Sequence, residues 1–168
     1  MNLSQFIEQW NSDSSTIEVM TSGSTGTPKR MMAEKSRMLS SARITCDFLG
    51  LKPGYTALLC LPLDYIAGKM MVVRSIERGM RLLSVEPSSE PLKGFADAAA
   101  RGERGSIDFA AMIPMQVIRS IADPAQCEIL KGIRHLIIGG GAIDRTLAEA
   151  LKSFPNAVWS TYGMTETL

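Results

Sequence analysis

Met20-Thr21-Ser22-Gly23-Ser24-Thr25-Gly26-Thr27-Pro28-Lys29 surrounds two glycines with hydroxyl-bearing residues and closes on a proline and a lysine. Glycine lets the main chain turn with positive φ and approach a ligand closely. Successive backbone N–H groups in such a turn can face one concavity that holds an anion. The hydroxyls supply further donors, and Lys29 a compact positive charge. The ligand this predicts is a polyphosphate. The stretch is not a Walker A loop, which has Gly, four residues and then Gly-Lys-Ser/Thr, because Pro28 precedes Lys29. It is also unlike a Gly/Ser spacer, which needs neither the apolar run before it nor the Pro-Lys after it.

Working outward, Thr16-Ile17-Glu18-Val19-Met20 is a β-prone run leading into the loop, and Arg30-Met31-Met32-Ala33 reads as its return strand. Before it, residues 3–10 form a short amphipathic helix with Leu3, Phe6, Ile7 and Trp10 on one face. After it, strands are expected at 56–61, 81–85, 107–113, 134–138 and 157–161. Helices are expected at 36–49, 66–78, 92–100, 114–121, 125–131 and from the Asp144 cap to 154. Gly50 and Gly79 end two of them. Strand and helix alternate, and 56–61 is apolar throughout, as in strands buried on both faces. The fold class is therefore α/β, a mainly parallel sheet with helices on both faces. Ligands in such sheets bind beyond the carboxyl ends of the strands. The loops after Met20, Ile138 and Thr161 are expected there.

Composition narrows the function. The chain has 168 residues, 45% hydrophobic and 21% charged with formal net charge +1, so nothing points to a nucleic-acid or anionic-membrane surface. No apolar run has the length to span a bilayer, and the N-terminus lacks the basic and apolar regions of a signal peptide. Cys46, Cys60 and Cys127, odd in number and far apart, read as reduced core thiols of a cytoplasmic protein. One histidine, His135, makes a zinc site or a Ser-His-Asp triad a poor reading, and it is taken as structural. Met70, Met71, Val72 and Val73 read as core packing.

Two more segments carry chemistry. Gly139-Gly140-Gly141-Ala142 lies between a strand and a helix but lacks the third glycine of the dinucleotide fingerprint. Tyr162-Gly163-Met164-Thr165-Glu166-Thr167 offers a ring to stack on a purine, worth about 1–3 kcal/mol per base. It also offers a glycine for close approach, a hydroxyl and a hard oxygen ligand suited to Mg²⁺.

Thr21 to Lys29 resembles the phosphate-binding signature of adenylate-forming enzymes, the superfamily of acyl-CoA synthetases, luciferases and peptide-synthetase adenylation domains. Tyr162 to Thr167 resembles the same superfamily's Tyr-Gly-x-Thr-Glu motif. The resemblance implies that Thr21, Ser22, Gly23, Ser24, Thr25, Gly26 and Lys29 hold the β- and γ-phosphates of ATP. It implies that Gly139, Gly140, Gly141 and Ala142 lie along the adenine and acyl group, with Tyr162 and Gly163 at the nucleotide. Thr165 would contact the α-phosphate and Glu166 would hold Mg²⁺; with Lys29 these carry the catalytic roles. Leu61-Pro62-Leu63-Asp64-Tyr65-Ile66-Ala67-Gly68 resembles Leu-Pro-x-x-His-x-x-Gly, with Tyr65 where histidine is usual, a departure that bears on substrate choice.

The activity so implied is that of an acid–thiol ligase acting on a small carboxylic acid, ATP and coenzyme A. Among subfamilies the chain resembles the o-succinylbenzoate–CoA ligases of menaquinone synthesis, through Leu61-Pro62-Leu63, Gly68, Arg74 and Pro114-Met115-Gln116. Tyr65, Gly68 and Arg74 would then meet the acid, Arg74 pairing with its second carboxylate; the bland alternative makes Arg74 and Lys69 solvated surface charges. Residues 1–168 are expected to be part of the large N-terminal domain, a partial AMP-binding domain without the C-terminal lid domain. The other readings are a catalytically incompetent nucleotide-binding fragment and a phosphate-loop hydrolase. Self-association into a homo-oligomer is left open.

Overall fold

The computed structural model describes residues 1–21, 29–102 and 105–161, and of Ala99 only the backbone. The first helix, α1 (Leu3–Asn11), is closed by a capping box. The Asn2 side chain accepts the Gln5 N–H, and the Gln5 side chain accepts the Asn2 N–H, both at 2.9 Å. Phe6 is its fully buried anchor.

β1 (Thr16–Met20) and β2 (Arg30–Glu34) form an antiparallel hairpin, with Thr16 opposite Glu34 and Met20 opposite Arg30. The hairpin is a sheet of its own, so the loop after Met20 does not leave a strand of the parallel sheet as expected. The burial pattern gives the reason. Ile17 and Val19 are buried and Glu18 is exposed, the alternation of a half-solvated antiparallel strand.

The parallel sheet contains β3 (Thr56–Leu59), β4 (Arg81–Ser84), β5 (Phe109–Met112), β6 (His135–Ile138) and β7 (Ala157–Ser160). Their order is β4-β3-β5-β6-β7, and every neighbouring pair is parallel. β3 and β5 are buried along their whole length, as their unbroken apolar sequences require. Six helices surround the sheet among the described residues: α2 (Lys35–Phe48), α3 (Ile66–Arg78), α4 (Lys93–Ala100), α5 (Pro114–Ala122), α6 (Pro124–Gly132) and α7 (Arg145–Leu151). The step from β3 to β4 runs opposite to all later steps. Right-handed crossovers therefore set α3 on one face and α4 to α7 on the other. α2 packs on α3, and α4 on α6. The reversal falls between β3 and β5, which makes the gap between their carboxyl ends the crevice where such sheets bind ligands.

α3 begins and ends where the sequence places it, stopped by Gly79 in the left-handed region at φ 63°. Other element ends shift by one to three residues, two of them with a clear cause. α7 stops at Leu151 rather than 154, because the residue before Pro155 is pushed out of the helical region. β3 stops at Leu59 rather than 61. The Cys60 carbonyl is taken by the Gln116 side chain, and Pro62 has no N–H to give a ladder.

The amino ends of the strands are tied by polar groups. Asp108 accepts the Thr56 N–H at 2.9 Å and the Arg134 Nε–H at 3.1 Å. Arg134 lies over the Tyr55 ring at 5.2 Å, and Arg81 donates to Thr56 Oγ1 at 3.0 Å. Met70, Met71, Val72 and Val73 are core residues. Cys46 and Cys60 are buried free thiols, while Cys127 is only half-buried. Among the described residues no helix is long and apolar enough to cross a membrane.

Candidate functional site

Of the phosphate-loop residues, Thr21 and Lys29 are described, and Ser22, Gly23, Ser24, Thr25 and Gly26 lie outside the described residues. Thr21 and Lys29 clasp the base of the loop. The Thr21 N–H donates to the Lys29 carbonyl at 2.9 Å, and the Lys29 N–H donates to Thr21 Oγ1 at 3.1 Å. The Thr21 hydroxyl accepts this bond and keeps its own O–H to donate. The Lys29 side chain is exposed, with no ion pair among the described residues.

At Met20 the hairpin meets the chain that leaves β3. The Met20 N–H donates to the Asp64 carbonyl at 3.0 Å, and Met20 pairs with Tyr65 in an isolated parallel bridge. This brings the loop's stem against residues 61–68, the chain that leaves β3 at its carboxyl end. Tyr65 is the residue before α3 and is half-buried. Gly68 is required by space: a Cβ there would lie 2.3 Å from the Pro62 carbonyl oxygen and 2.8 Å from that of Leu61. Both obstacles are main chain, so neither can swing aside.

Lys69 and Arg74, on the same helix, overturn the reading as solvated surface charges. Lys69 is 1% exposed and donates to the Leu63 carbonyl at 2.7 Å. Burial lowers its pKa, opposed by the charges of Asp64 and Glu18. Arg74 is half-buried, and its Nε is enclosed without a hydrogen-bond partner among the described residues. Burial brings its pKa down to about 10, which still leaves it charged at neutral pH. Cys46 donates its thiol to the Arg74 carbonyl at 3.8 Å. Burial pushes that thiol up to about 11 and Cys60 up to about 12, so neither offers a thiolate nucleophile at neutral pH.

Gly139, Gly140, Gly141 and Ala142 leave β6 as an exposed turn beside the same crevice. Gly140 has φ 74°, a conformation that favours glycine. A Cβ on Gly139 would meet Thr161 Oγ1 at 2.6 Å, and the Thr161 N–H donates to the Ile138 carbonyl at 2.8 Å. The turn is therefore locked to the exit of β7, which leads into Tyr162. Tyr162, Gly163, Thr165 and Glu166 lie outside the described residues. Among the described residues no group of three or more side chains could hold a metal ion.

One residue at this edge gave little signal in the sequence beyond the Pro-x-Gln triplet. Gln116, in α5, is 3% exposed. Its Nε2 donates to the Cys60 carbonyl at 3.2 Å and the Ser88 carbonyl at 2.8 Å, and its Oε1 accepts the Ile113 N–H at 3.1 Å.

A clasped loop stem and a triple-glycine turn thus lie near the carboxyl ends of a parallel sheet. The family model described as AMP-binding enzyme matches residues 7–168, and the chain belongs to that family. It is 31% identical over 159 residues to a probable 2-succinylbenzoate–CoA ligase from Mycobacterium tuberculosis, covering 92% of this chain and 40% of that protein. The crystal structure of an acyl-CoA synthetase (AMP-forming)/AMP-acid ligase II-like protein from Dyadobacter fermentans is 34% identical. It superposes with a TM-score of 0.86 over 97% of this chain and 45% of the other. An o-succinylbenzoate coenzyme A synthetase from Bacillus subtilis, solved with ATP and magnesium ion, is 25% identical with a TM-score of 0.70, covering 89% of this chain and 30% of that one. The chain thus spans less than half the length of these relatives.

Proposed function

We propose that the chain carries the nucleotide- and acid-binding part of an ATP-dependent acid–thiol ligase. A carboxylate oxygen of the acid attacks the α-phosphorus of ATP, the bond to the β-bridging oxygen breaks, and pyrophosphate leaves. The coenzyme A sulfur then attacks the acyl carbon, the bond to the AMP oxygen breaks, and the thiol proton passes to solvent. Both steps are driven by positioning and by neutralising charge on the phosphates.

The observation that carries this reading is the Met20–Asp64 hydrogen bond with the Met20–Tyr65 bridge. It sets the stem of the anion-binding loop directly against the segment that precedes Gly68, so a phosphate chain and an acyl group can meet. Thr21, Ser22, Gly23, Ser24, Thr25, Gly26 and Lys29 would hold the β- and γ-phosphates, Lys29 through its exposed ammonium. Gly139 to Ala142 would lie along the adenine and the acyl group, Tyr162 and Gly163 would border the nucleotide, and Thr165 would contact the α-phosphate. Magnesium would arrive with ATP, with Glu166 as its protein ligand, and would neutralise charge on the phosphates.

For the acid we propose o-succinylbenzoate, with Arg74 taking the carboxylate that is not activated. An enclosed guanidinium nitrogen without a partner carries a desolvation cost that a ligand carboxylate would offset. Tyr65 and Gly68 would border the acyl group. The test is pyrophosphate release by the purified chain with ATP–Mg²⁺, with and without o-succinylbenzoate. Acid-dependent release supports the reading. Phosphate release without acid points to a hydrolase, and nucleotide binding without turnover to a binding module. Arg74→Ala should weaken binding of an o-succinylbenzoyl-adenylate analogue at least tenfold and leave AMP binding unchanged; equal losses would remove Arg74 from the site.

A further inference from the structure

We propose that Gln116 is a positioning residue that shapes the acyl half of the site, so that its loss weakens recognition of the acid while sparing the nucleotide. The inference rests on the acid–thiol ligase reading and adds a residue to it. The ligand-binding crevice lies where the strand order reverses, between β3 and β5. At a reversal of this kind the chains leaving the two strands turn to opposite faces, and nothing in the strand ladder holds their exits together. Gln116 does. From the first turns of α5 it reaches back to the Ile113 N–H at the β5 exit, across to the Cys60 carbonyl at the β3 exit, and on to the Ser88 carbonyl after β4.

Both amide hydrogens and the amide oxygen are used, and all three partners are main chain. Water has no access to take over the bonds, because the residue is 3% exposed. The consequences run to features that border the acyl group. Cys60 leads into Leu61 and Pro62, whose carbonyls already crowd Gly68 to within 2.8 Å and 2.3 Å of an added Cβ. Ile113 and Pro114 support the glycine turn, lying 3.3 Å and 3.4 Å from a Cβ on Gly140 and Gly141. The phosphate loop hangs instead from the β1–β2 hairpin, to which Gln116 makes none of its three bonds.

The experiment measures two affinities by calorimetry on the purified chain. One is for AMP, and the other for o-succinylbenzoyl sulfamoyl adenosine, a non-reacting mimic of the acyl-adenylate. Gln116→Met keeps length and volume but removes every hydrogen bond. Gln116→Glu, held neutral by its buried setting, keeps an acceptor and one donor. The preference for the acyl mimic over AMP is expected to fall at least tenfold in Gln116→Met and by less in Gln116→Glu, with AMP affinity within twofold of the unaltered chain. Should Gln116→Met fail to fold, the intermediate loss in Gln116→Glu carries the test. An unchanged preference, or equal losses for both ligands, overturns the inference while leaving the ligase reading intact. Failure of the unaltered chain to prefer the acyl mimic overturns both.

Discussion

The two ends of the parallel sheet use their polar residues differently. At the amino ends Asp108 pairs with Thr56 and Arg134, Arg134 with Tyr55 and Arg81 with Thr56, the His135 Nδ1 being the exception. Near the carboxyl ends Lys29 is exposed and makes no ion pair among the described residues. Gly68 there is set by a close main-chain approach and Gly139 by the Thr161 side chain, rather than by turns alone. A polar group that finds its partner inside the fold is accounted for by stability. A charge left exposed at the mouth of a ligand crevice is free to meet a ligand. The comparison therefore predicts that substitutions at the amino end alter stability alone, whereas those at the carboxyl end separate into supports of the wall and contacts to the ligand.

The largest effect is expected at a wall support. Gly68→Ala forces a methyl into two carbonyl oxygens, and overpacking of this kind costs about 3 kcal/mol because the obstacle is backbone. Urea denaturation should show that loss, and unchanged stability would mean that α3 can slide away from 61–62. A smaller loss, about 1–3 kcal/mol, is expected for Asp108→Ala, which leaves the Thr56 N–H and Arg134 without their acceptor. AMP affinity should not move with it. A parallel fall in AMP binding would erase the distinction between the two ends.

A ligand contact should behave in the opposite way. Lys29→Ala should weaken ATP–Mg²⁺ binding by about 1–3 kcal/mol, the scale of a charge-assisted hydrogen bond. Its stability should stay within about 0.5 kcal/mol, as for other exposed sites. Calorimetry and denaturation on the same preparation decide it, and unchanged ATP affinity would take Lys29 out of the phosphate site.

Where sequence was informative, the signal was local. Ile66 to Arg78 could be bounded because Gly79 supplies the left-handed stop, and β3 could be read as buried because it is apolar without a break. The triple-glycine turn could be placed because a strand precedes it and Asp144 caps the helix after it. What stayed hidden depends on partners distant in the chain. Nothing in Thr16 to Met20 says whether it joins the large sheet or pairs only with Arg30 to Glu34. The burial of Lys69 follows from the Leu63 carbonyl waiting for its ammonium, and a mid-helix lysine normally signals solvent. Gln116 has three partners, two of which lie 56 and 28 residues away, so no window around it could reveal its position.

The smallest effect expected is a pH dependence at the amino end. His135 begins β6, and its Nδ1 is enclosed without a hydrogen-bond partner among the described residues. Burial lowers its pKa below 6.5, Arg134 beside it lowers it further, and Asp108 opposes both. The unfolded chain then binds the proton more readily than the folded one. Stability is fully present above the unfolded pKa of about 6.5 and declines as pH falls towards the lower folded value. Below that value both states are protonated and the loss stops growing. Carboxylates elsewhere also respond to acid, so the measurement is a difference: urea midpoints at pH 7.5 and pH 5.5 for the unaltered chain and for His135→Gln. The unaltered chain should lose more stability over that interval, by about 1 kcal/mol or less. Identical losses would mean that the imidazole is as easily protonated in the fold as in water. The network of Asp108 and Arg134 would then fail to isolate the strand ends from solvent, and the amino end would no longer be the satisfied end of the sheet.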